Sequence, residues 1–325
     1  MKKNVAVIGC GYWGKNLVRN FYELGSLHSV CDPNTKLAQL YASQYNVKQY
    51  TFEEIINHSE IEGVVLAVPA PLHASMAIKS MNAGKNVFVE KPLAINEDVA
   101  KKMIITAKKN NVHLMVGHLL QYHPVFAHMR KTIRSGDLGK LKYIYSNRLS
   151  FGKVRSEEDV IWSFAPHDLS MILSLSDSKP ISVRTEATSI LQKNISDIAK
   201  IYIDFKSGLK SHIFVSWLNP IKEQKLIVIG DDAMLVFDDT KNWNEKLCIF
   251  RHKIKFSEKI ADLTKADPEY IKVDESEPLK NECSHFLKSL SEGHTPLTDG
   301  KEGMEVLQIL NCASQSLESD TKIKI

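Results

Sequence analysis

The opening stretch of the chain constrains its fold most strongly. A short apolar run over residues 5–8 leads directly into Gly9, Gly11 and Gly14, which have the spacing Gly-x-Gly-x-x-Gly and precede a segment that can form a helix. In a strand–turn–helix unit, Gly9 permits the tight turn, Gly11 lets the backbone approach a pyrophosphate, and Gly14 lets the helix pack closely on the strand. The N–H groups at the start of that helix attract an anion. The pattern predicts a dinucleotide-binding unit, although similar glycine-rich turns also occur in proteins that bind no nucleotide.

A carboxylate follows the next apolar run. Residues 26–32 end in Asp32, 18 residues after Gly14, which fits the spacing of roughly 20 residues in the fingerprint. A carboxylate there accepts hydrogen bonds from both ribose hydroxyls of the adenosine half and repels a 2′-phosphate. The alternative is that Asp32 caps a turn or a helix before Pro33. Because the spacing fits on both sides of Asp32, the cofactor interpretation is favoured, and the predicted cofactor is NAD rather than NADP.

Composition narrows the class of protein. The chain has 325 residues, of which 43% are apolar and 25% are charged, so we expect a globular protein of two domains. The net charge of +4 is small and the basic residues are spread out, which argues against nucleic acid or a membrane surface as a partner but is compatible with a phosphate-bearing substrate. The five cysteines are far apart and form no Cys-x-x-Cys pair. We therefore expect reduced thiols and no metal site in a cytoplasmic protein.

The first ten residues superficially resemble a lipoprotein signal. Their apolar core covers only residues 5–8, which is shorter than the roughly 7–15 residues of an export signal. No window approaches the ~18 uninterrupted apolar residues of a membrane span. We therefore expect neither an export signal nor a span.

Residues 1–122 have the alternating pattern of a doubly wound parallel sheet, that is, a Rossmann domain that binds NAD. Apolar periodicity predicts strands at residues 4–8, 28–31, 63–68, 86–89 and 113–116, and helices at residues 15–24, 36–45, 72–83 and 97–110. Ligands of such sheets bind outside the carboxyl ends of the strands. This rule places residues 69–73, 90–92 and 117–118 in one crevice.

Residues 123–325 have a different pattern and are predicted to form an α+β domain with a large open, mostly antiparallel sheet, for substrate binding and oligomerisation. Strands are predicted at residues 142–151, 181–191, 199–205, 210–217, 225–229 and 234–237, and helices at 125–135, 282–291 and 301–317. One further helix is predicted to begin near Pro166, and residues 261–277 are predicted to be a charged loop. The final helices could pack back on the N-terminal domain. The overall fold class is α/β.

Several short motifs together resemble one family. They are Gly9-Cys10-Gly11-Tyr12-Trp13-Gly14, Glu90-Lys91-Pro92, Gly117-His118, Ala165-Pro166-His167-Asp168, Glu277-Pro278-Leu279-Lys280-Asn281-Glu282 and Pro296-Leu297-Thr298-Asp299-Gly300. In this order and spacing the set resembles the Gfo/Idh/MocA oxidoreductases, which include glucose–fructose oxidoreductase and inositol dehydrogenase. The glycine turn and residues 162–168 are most similar to the branch that oxidises UDP-N-acetylhexosamines at the 3-hydroxyl, as in the biosynthesis of cell-surface polysaccharide or lipid A-type molecules. The resemblance implies an NAD-dependent dehydrogenase and adds Tyr12, Trp13 and Glu90 to the cofactor-binding residues.

Lys91 follows a buried strand at the mouth of the predicted crevice. A lysine there can hydrogen-bond the substrate hydroxyl and stabilise the alkoxide that develops as hydride leaves. The alternative is a solvent-exposed ion pair between Glu90 and Lys91. In the family this lysine is functional, so the resemblance implies a catalytic, cofactor-binding and substrate-binding Lys91.

His167 is predicted to open a helix directly after Pro166, which suits the first turn. Imidazole accepts a hydroxyl proton near neutral pH, although a lone histidine is more often a surface or core residue. The resemblance implies that His167 faces the nicotinamide as general base. Many relatives have an aspartate four residues earlier, where this chain has Ser163. With serine at this position, either His167 and Lys91 share the removal of the proton, or Asp168 or another acid acts as the base.

The remaining candidates surround these two. Pro69 and His73 are expected at the nicotinamide end, and His118 is expected either in the same crevice or as a packing residue. Arginine suits a diphosphate, but exposed cations also keep an edge strand soluble. Substrate candidates are Arg148, Lys153, Arg155, Trp162 and Asp168, with Tyr122 reaching the sugar. Gln121 stands where the family usually has a basic residue, so the sugar specificity of the family does not transfer directly to this chain.

The predicted substrate is a small sugar, UDP-linked by resemblance. Dehydrogenation of a free sugar or inositol is the alternative within the family. An NAD-dependent glycosidase or a non-catalytic sensor of NAD or sugar is the alternative of another class. An open sheet must cover its outer face, so we expect a homodimer or homotetramer.

Overall fold

The computed structural model describes residues 4–152, 154–257 and 260–325. The described chain divides into two compact units. The first contains residues 4–123 together with Ser276–Gln308, and the second contains the described part of Pro124–Glu275 together with Ile309–Ile325.

The first unit is built on a six-stranded parallel sheet in the order β3-β2-β1-β4-β5-β6. Its strands are β1 (Val5–Ile8), β2 (Leu27–Cys31), β3 (Lys48–Gln49), β4 (Gly63–Leu66), β5 (Asn86–Glu90) and β6 (Leu114–Gly117). The helices between them are α1 (Gly14–Glu23), α2 (Thr35–Tyr45), α3 (Phe52–Asn57), α4 (Ala70–Asn82) and α5 (Glu97–Lys109). The central strands are buried apolar runs, as is usual in parallel sheets covered on both faces. The predicted Rossmann fold is confirmed.

The second unit is built on a nine-stranded mixed sheet. Helix α6 (Pro124–Arg134) precedes β7 (Leu141–Phe151), α7 (Val160–Ser176), β8 (Pro180–Thr188), β9 (Ile198–Phe205), β10 (Lys210–Ser216), β11 (Leu218–Gly230), β12 (Met234–Asp238), β13 (Leu247–Phe250), β14 (Lys253–Ser257), β15 (Ile260–Thr264) and β16 (Glu269–Tyr270). The sheet order is β16-β13-β12-β11-β7-β10-β9-β8 and then the last strand of the chain, while β14 and β15 form a separate hairpin. Within this nine-stranded sheet, β7 and β10 are the one parallel pair among the described strands, so the predicted mostly antiparallel sheet is confirmed.

The chain ends with two helices and a short strand, α8 (Pro278–Glu292), α9 (Gly300–Ser319) and β17 (Ile323–Lys324). Helix α8 belongs to the first unit, where Phe286 packs edge-on against Phe21 of α1, with ring centroids 6.4 Å apart. These two rings cover one face of the parallel sheet, with Val7, Val65 and Phe88 in the same apolar core. Of the helices that the structure describes, none is long and apolar enough to cross a membrane.

Several details differ from the sequence predictions. The helix predicted to begin near Pro166 begins six residues earlier in the chain, because an Asp159 carboxylate oxygen accepts the N–H groups of Ile161 and Trp162 at 3.0 Å each. Pro166 therefore lies inside α7. Strands β15 and β16 occupy part of the segment predicted to be a loop, and α3 and the strands β3, β13, β14 and β17 were not predicted. The start of α3 is marked in the sequence by a capping box, in which Thr51 and Glu54 cap each other's backbone N–H groups.

Candidate active site

The turn between β1 and α1 has the geometry of an anion site. Gly9 has a φ of +91°, and a Cβ on Gly14 would collide with the carbonyl group of Gly9, whose carbon would be 2.8 Å away. A Cβ on Gly11 would meet no described atom within 4 Å. No side chain of the described chain caps the start of α1, and no acid lies in its first turn. The exposed helix start and the open side of Gly11 fit the pyrophosphate of NAD.

Asp32 connects this turn with the end of β2. One carboxylate oxygen accepts the N–H of Cys10 at 2.7 Å, and the other accepts the N–H of Asn34 at 2.8 Å. The turn interpretation is therefore correct for Asp32, but the cap of α2 is Asn34. Each carboxylate oxygen has a second lone pair for a ribose hydroxyl, so the two interpretations are compatible.

A cleft of about 920 Å³ opens beside Asp32 within the first unit. It lies at the carboxyl ends of β1, β2 and β4, where the rule for such sheets predicts the ligand. Among its lining residues are Gly9, Gly11, Asp32, Tyr50, Phe52, Pro69, Leu72 and Met76. The largely apolar wall with one carboxylate suits the adenosine half of NAD. Pro69, which was predicted at the nicotinamide end, lines this same cleft.

His73 was predicted to line the nicotinamide end, but the structure places it in the interior. Its side chain is only 1% exposed, and its two ring nitrogens contact the carbonyl oxygens of Pro92 and Val68 at 2.8 Å each. Burial lowers the pKa of His73. His73 therefore joins the loops after β4 and β5 instead of contacting the cofactor.

Glu90 connects the glycine turn with the loop that carries Lys91. Its Oε1 accepts the indole N–H of Trp13 at 2.5 Å, and its Oε2 accepts the backbone N–H of Lys91 at 3.3 Å. A Cβ on Gly117 would lie 2.9 Å from the same carboxylate, so a larger residue there would displace the carboxylate of Glu90. Burial raises the pKa of Glu90 to about 7. Glu90 fixes the position of Lys91, which is half-buried at the carboxyl end of β5.

One buried acid near Glu90 was not predicted as a site residue. Glu282 of α8 is 0% exposed, and neither of its carboxylate oxygens has a hydrogen-bond partner among the described residues. Burial, and then the charges of Glu90 and Glu302, raise the pKa of Glu282 well above its ordinary value, so folding favours the protonated form of this acid. The sequence does contain the signal, because Glu282 shares helical spacing with the core residues Leu279 and Phe286.

His118 was predicted either in the crevice or as a packing residue, and Tyr122 was predicted to reach the sugar. His118 is buried, and its Nδ1 lies 2.6 Å from a carboxylate oxygen of Glu302. Tyr122 is 7% exposed, and its hydroxyl forms a 2.8 Å hydrogen bond with Thr298. Both residues use polar atoms in contacts within the first unit, which favours the packing interpretation of His118 and gives no support to a sugar contact by Tyr122. Gln121 is also buried.

In the second unit, His167 is half-buried. It lies in the middle of α7, whereas it was predicted at the start of a helix. Ser163 is one turn earlier on the same helix face. The next residue, Asp168, is 1% exposed and accepts hydrogen bonds from Ser146 and from Arg148, whose second guanidinium contact is 3.3 Å long. This pair corrects two predictions, because Asp168 is not available as a base and the charge of Arg148 is already neutralised.

The other predicted substrate residues of this unit are spread along the same segment. The indole N–H of Trp162 donates to Ser314 at 3.1 Å. Arg155 forms a 3.0 Å ion pair with Glu158, and both side chains remain partly exposed. Lys153 lies outside the described residues. Of the predicted diphosphate ligands that the structure describes, Arg155 is thus the accessible one.

The comparisons with known proteins define the class. Residues 3–118 match the oxidoreductase family with an NAD-binding Rossmann fold known as Gfo/Idh/MocA, and residues 126–236 match the Gfo/Idh/MocA C-terminal domain. Together the two matches span most of the chain. The chain therefore belongs to the Gfo/Idh/MocA family of oxidoreductases, and the predictions of the family and of NAD as cofactor are confirmed.

Particular relatives match over nearly the whole length. UDP-N-acetylglucosamine 3-dehydrogenase of Acidithiobacillus ferrooxidans is 22% identical over 93% of this chain and 93% of its own. Its solved structure has a TM-score of 0.87 and covers 98% of both chains. The NAD-dependent scyllo-inositol 2-dehydrogenase of Bacillus subtilis is 22% identical over 98% of this chain and 95% of its own. GenD2 of gentamicin A biosynthesis, solved in complex with NAD, has a TM-score of 0.84 at 18% identity and covers 100% of this chain and 96% of its own.

Proposed function

We propose that this protein oxidises the 3-hydroxyl of a UDP-N-acetylhexosamine to the 3-keto sugar with NAD, in the cytoplasm. The observation that carries the dehydrogenase assignment is the hydrogen bond between Trp13 and Glu90, which places the loop of Lys91 beside the cofactor turn. The nucleotide-sugar assignment is supported by the end-to-end similarity to the Acidithiobacillus enzyme, which covers 93% of both chains.

In this proposal Lys91 stabilises the negative charge that develops on the substrate oxygen. NAD, when bound, supplies the hydride acceptor, and the protein supplies orientation and electrostatics. The ammonium group of Lys91 hydrogen-bonds the hydroxyl oxygen, and this interaction strengthens as the oxygen becomes an alkoxide. Glu90 is a positioning residue in this proposal, because its carboxylate joins Trp13 to the backbone of Lys91.

In this proposal His167 accepts the proton of the substrate hydroxyl. Asp168 is unsuitable as a base because it is buried and paired with Arg148, so His167 and Lys91 remain for this part. Ser163 supplies no negative charge to His167, whereas an aspartate would raise the basicity of the imidazole. Arg155 and Lys153 are proposed for the diphosphate, and the ring of Trp162 for the face of the nucleotide or sugar.

A second copy of the chain is proposed to cover the open face of the mixed sheet, giving a homodimer or homotetramer. Tyr143 and Tyr145 of β7 and His212 of β10 form a cluster of partly exposed rings on this face, with centroids 5.2–6.3 Å apart. Light scattering after gel filtration measures the assembly. Replacing Tyr145 by aspartate should shift it to monomer, whereas an unchanged mass would exclude this face.

The function is tested by incubating the purified protein with NAD or NADP and a panel of UDP-N-acetylhexosamines, free N-acetylhexosamines and inositols. The proposal predicts that NADH accumulates with a UDP-N-acetylhexosamine and that NMR finds a ketone at C3. A faster reaction with inositol would favour the activity of the Bacillus subtilis relative. Bond cleavage without net NADH would indicate a glycosidase, and binding without turnover would indicate a sensor.

A further inference from the structure

Three potential metal ligands meet at one point of the first unit. His28 belongs to β2, His58 ends α3, and Glu60 follows in the next turn. One ligand atom from each residue lies within 4.8 Å of the others. The proposed NAD and sugar contacts use none of these side chains.

The distances are close to those of a zinc site. His28 Nε2 and Glu60 Oε2 are 3.4 Å apart, and in a tetrahedral zinc site with bonds near 2.0 Å two ligand atoms are separated by about 3.3 Å. The third ligand is His58, and its atom must move by about 1.5 Å at most to reach this spacing. Glu60 can follow this movement because its side chain is 69% exposed, whereas that of His28 is only 15% exposed. The site thus has His28 as its fixed ligand, while His58 and Glu60 adjust.

The turn that carries His58 and Glu60 is held in place from below. The ammonium group of Lys85, which is buried, donates to the carbonyl oxygens of His58 and Ile61 at 2.6 and 2.8 Å. The backbone N–H of Glu60 donates to Nδ1 of His58 at 3.3 Å. These contacts hold the backbone of the turn that carries both ligands in one position.

The cluster also borders the wall of the cofactor cleft. The ring of Tyr50, which lines that cleft, lies 6.1 Å from the ring of His28 and 5.4 Å from that of His58. The cleft is also lined by Thr51, Phe52 and Glu54, at the start of the helix that ends at His58. An ion that joins β2 to the end of α3 would therefore hold this wall in one position.

We propose that His28, His58 and Glu60 bind one divalent transition metal ion, with zinc as the best match, and that the bound ion stiffens the cleft wall at Tyr50. Two imidazoles and one carboxylate are ligands that zinc accepts, and the exposed side of Glu60 leaves a fourth position for water. The alternative is a simple histidine–glutamate contact with stacked rings. The coupling to NAD affinity rests on the NAD-binding fold, whereas zinc binding itself does not depend on the proposed sugar oxidation.

The test uses the full chain with any affinity tag removed, stripped with a chelator and titrated with zinc chloride by calorimetry. We expect one zinc ion per chain, and affinity at least about tenfold weaker in Glu60→Gln and in His58→Gln. Glu60→Gln is exposed and should not disturb folding. His294→Gln is the matched control, because His294 lies 3.4 Å from Glu292 without belonging to a three-ligand group within the described chain, and it should bind zinc as the wild type does.

Cobalt as a probe adds a geometric readout, since four-coordinate cobalt absorbs much more strongly in the visible range than hydrated cobalt. The wild type should give this spectrum and Glu60→Gln should not. No zinc binding, or equal affinity in Glu60→Gln and the wild type, would overturn the site. NAD affinity should be higher with zinc than without it in the wild type but not in Glu60→Gln. A wild type with the same NAD affinity in the presence and absence of zinc would overturn the coupling to the cleft.

Discussion

Replacing Gly14 by alanine is expected to damage the fold, whereas replacing Gly11 by alanine is expected to damage only cofactor binding. A Cβ on Gly14 would overlap the carbonyl group of Gly9 and lie 3.2 Å from the Cβ of Ala67, so α1 must move away from β1. Overpacking of this severity costs about 3 kcal/mol. The gain in helix propensity from glycine to alanine returns at most ~1 kcal/mol. The net loss is about 2 kcal/mol, which corresponds to a fall in melting temperature of about 4–8 °C.

Gly11→Ala provides the matched control. Its added methyl group meets no described atom within 4 Å, so the melting temperature should stay near that of the wild type. The methyl group would, however, occupy the side from which the pyrophosphate approaches, and NAD affinity should fall at least about tenfold. Thermal melting and calorimetric titration with NAD measure the two effects. A Gly14→Ala protein that melts like the wild type, or a Gly11→Ala protein that binds NAD normally, would refute this account of the turn.

Three further predictions concern single side chains. Asp32→Ala should weaken NAD binding by about 1.5–3 kcal/mol and reduce the preference for NAD over NADP. Titration with both cofactors measures these effects. Lys91→Ala and His167→Ala should each lower kcat by about 10²–10⁴-fold with little change in KM, and Ser163→Asp should raise kcat or shift the acidic limb of its pH profile. A His167→Ala enzyme with normal kcat would leave Lys91 as the base. Because folding raises the pKa of Glu282, the free energy of unfolding of the wild type should fall as the pH rises above about 4.5, by up to ~1.4 kcal/mol per pH unit. Urea melts at increasing pH should show a smaller fall for Glu282→Gln, and parallel curves of unfolding free energy against pH for the two proteins would contradict this.

The parts of the fold that could be predicted are those with local signals. The glycine turn, the carboxylate Asp32 after the second strand and the buried strand before Glu90 are read from spacing and apolar runs, and the structure has them at the ends of β1, β2 and β5. Helix α3 also has a local signal, the capping box at Thr51, but its six residues are too short for periodicity to reveal.

The parts that could not be predicted depend on partners distant in sequence. Arg148 has the pattern of an exposed cation on a strand, and only the packing of α7 on β7 brings Asp168 to it. His73 has the pattern of a crevice residue, but its two ring nitrogens are used by carbonyl groups of two different loops. Burial of this kind is decided by tertiary contacts, so the residue type and its position along the strand do not reveal it.

The most direct test of the central claim follows the hydride itself. UDP-N-acetylglucosamine carrying deuterium at C3 is incubated with the wild-type protein and NAD, and the reduced cofactor is analysed by mass spectrometry. The account predicts one deuterium in each NADH formed and a ketone at C3 of the sugar. NADH without deuterium, or deuterium released into water with no reduced cofactor, would contradict it.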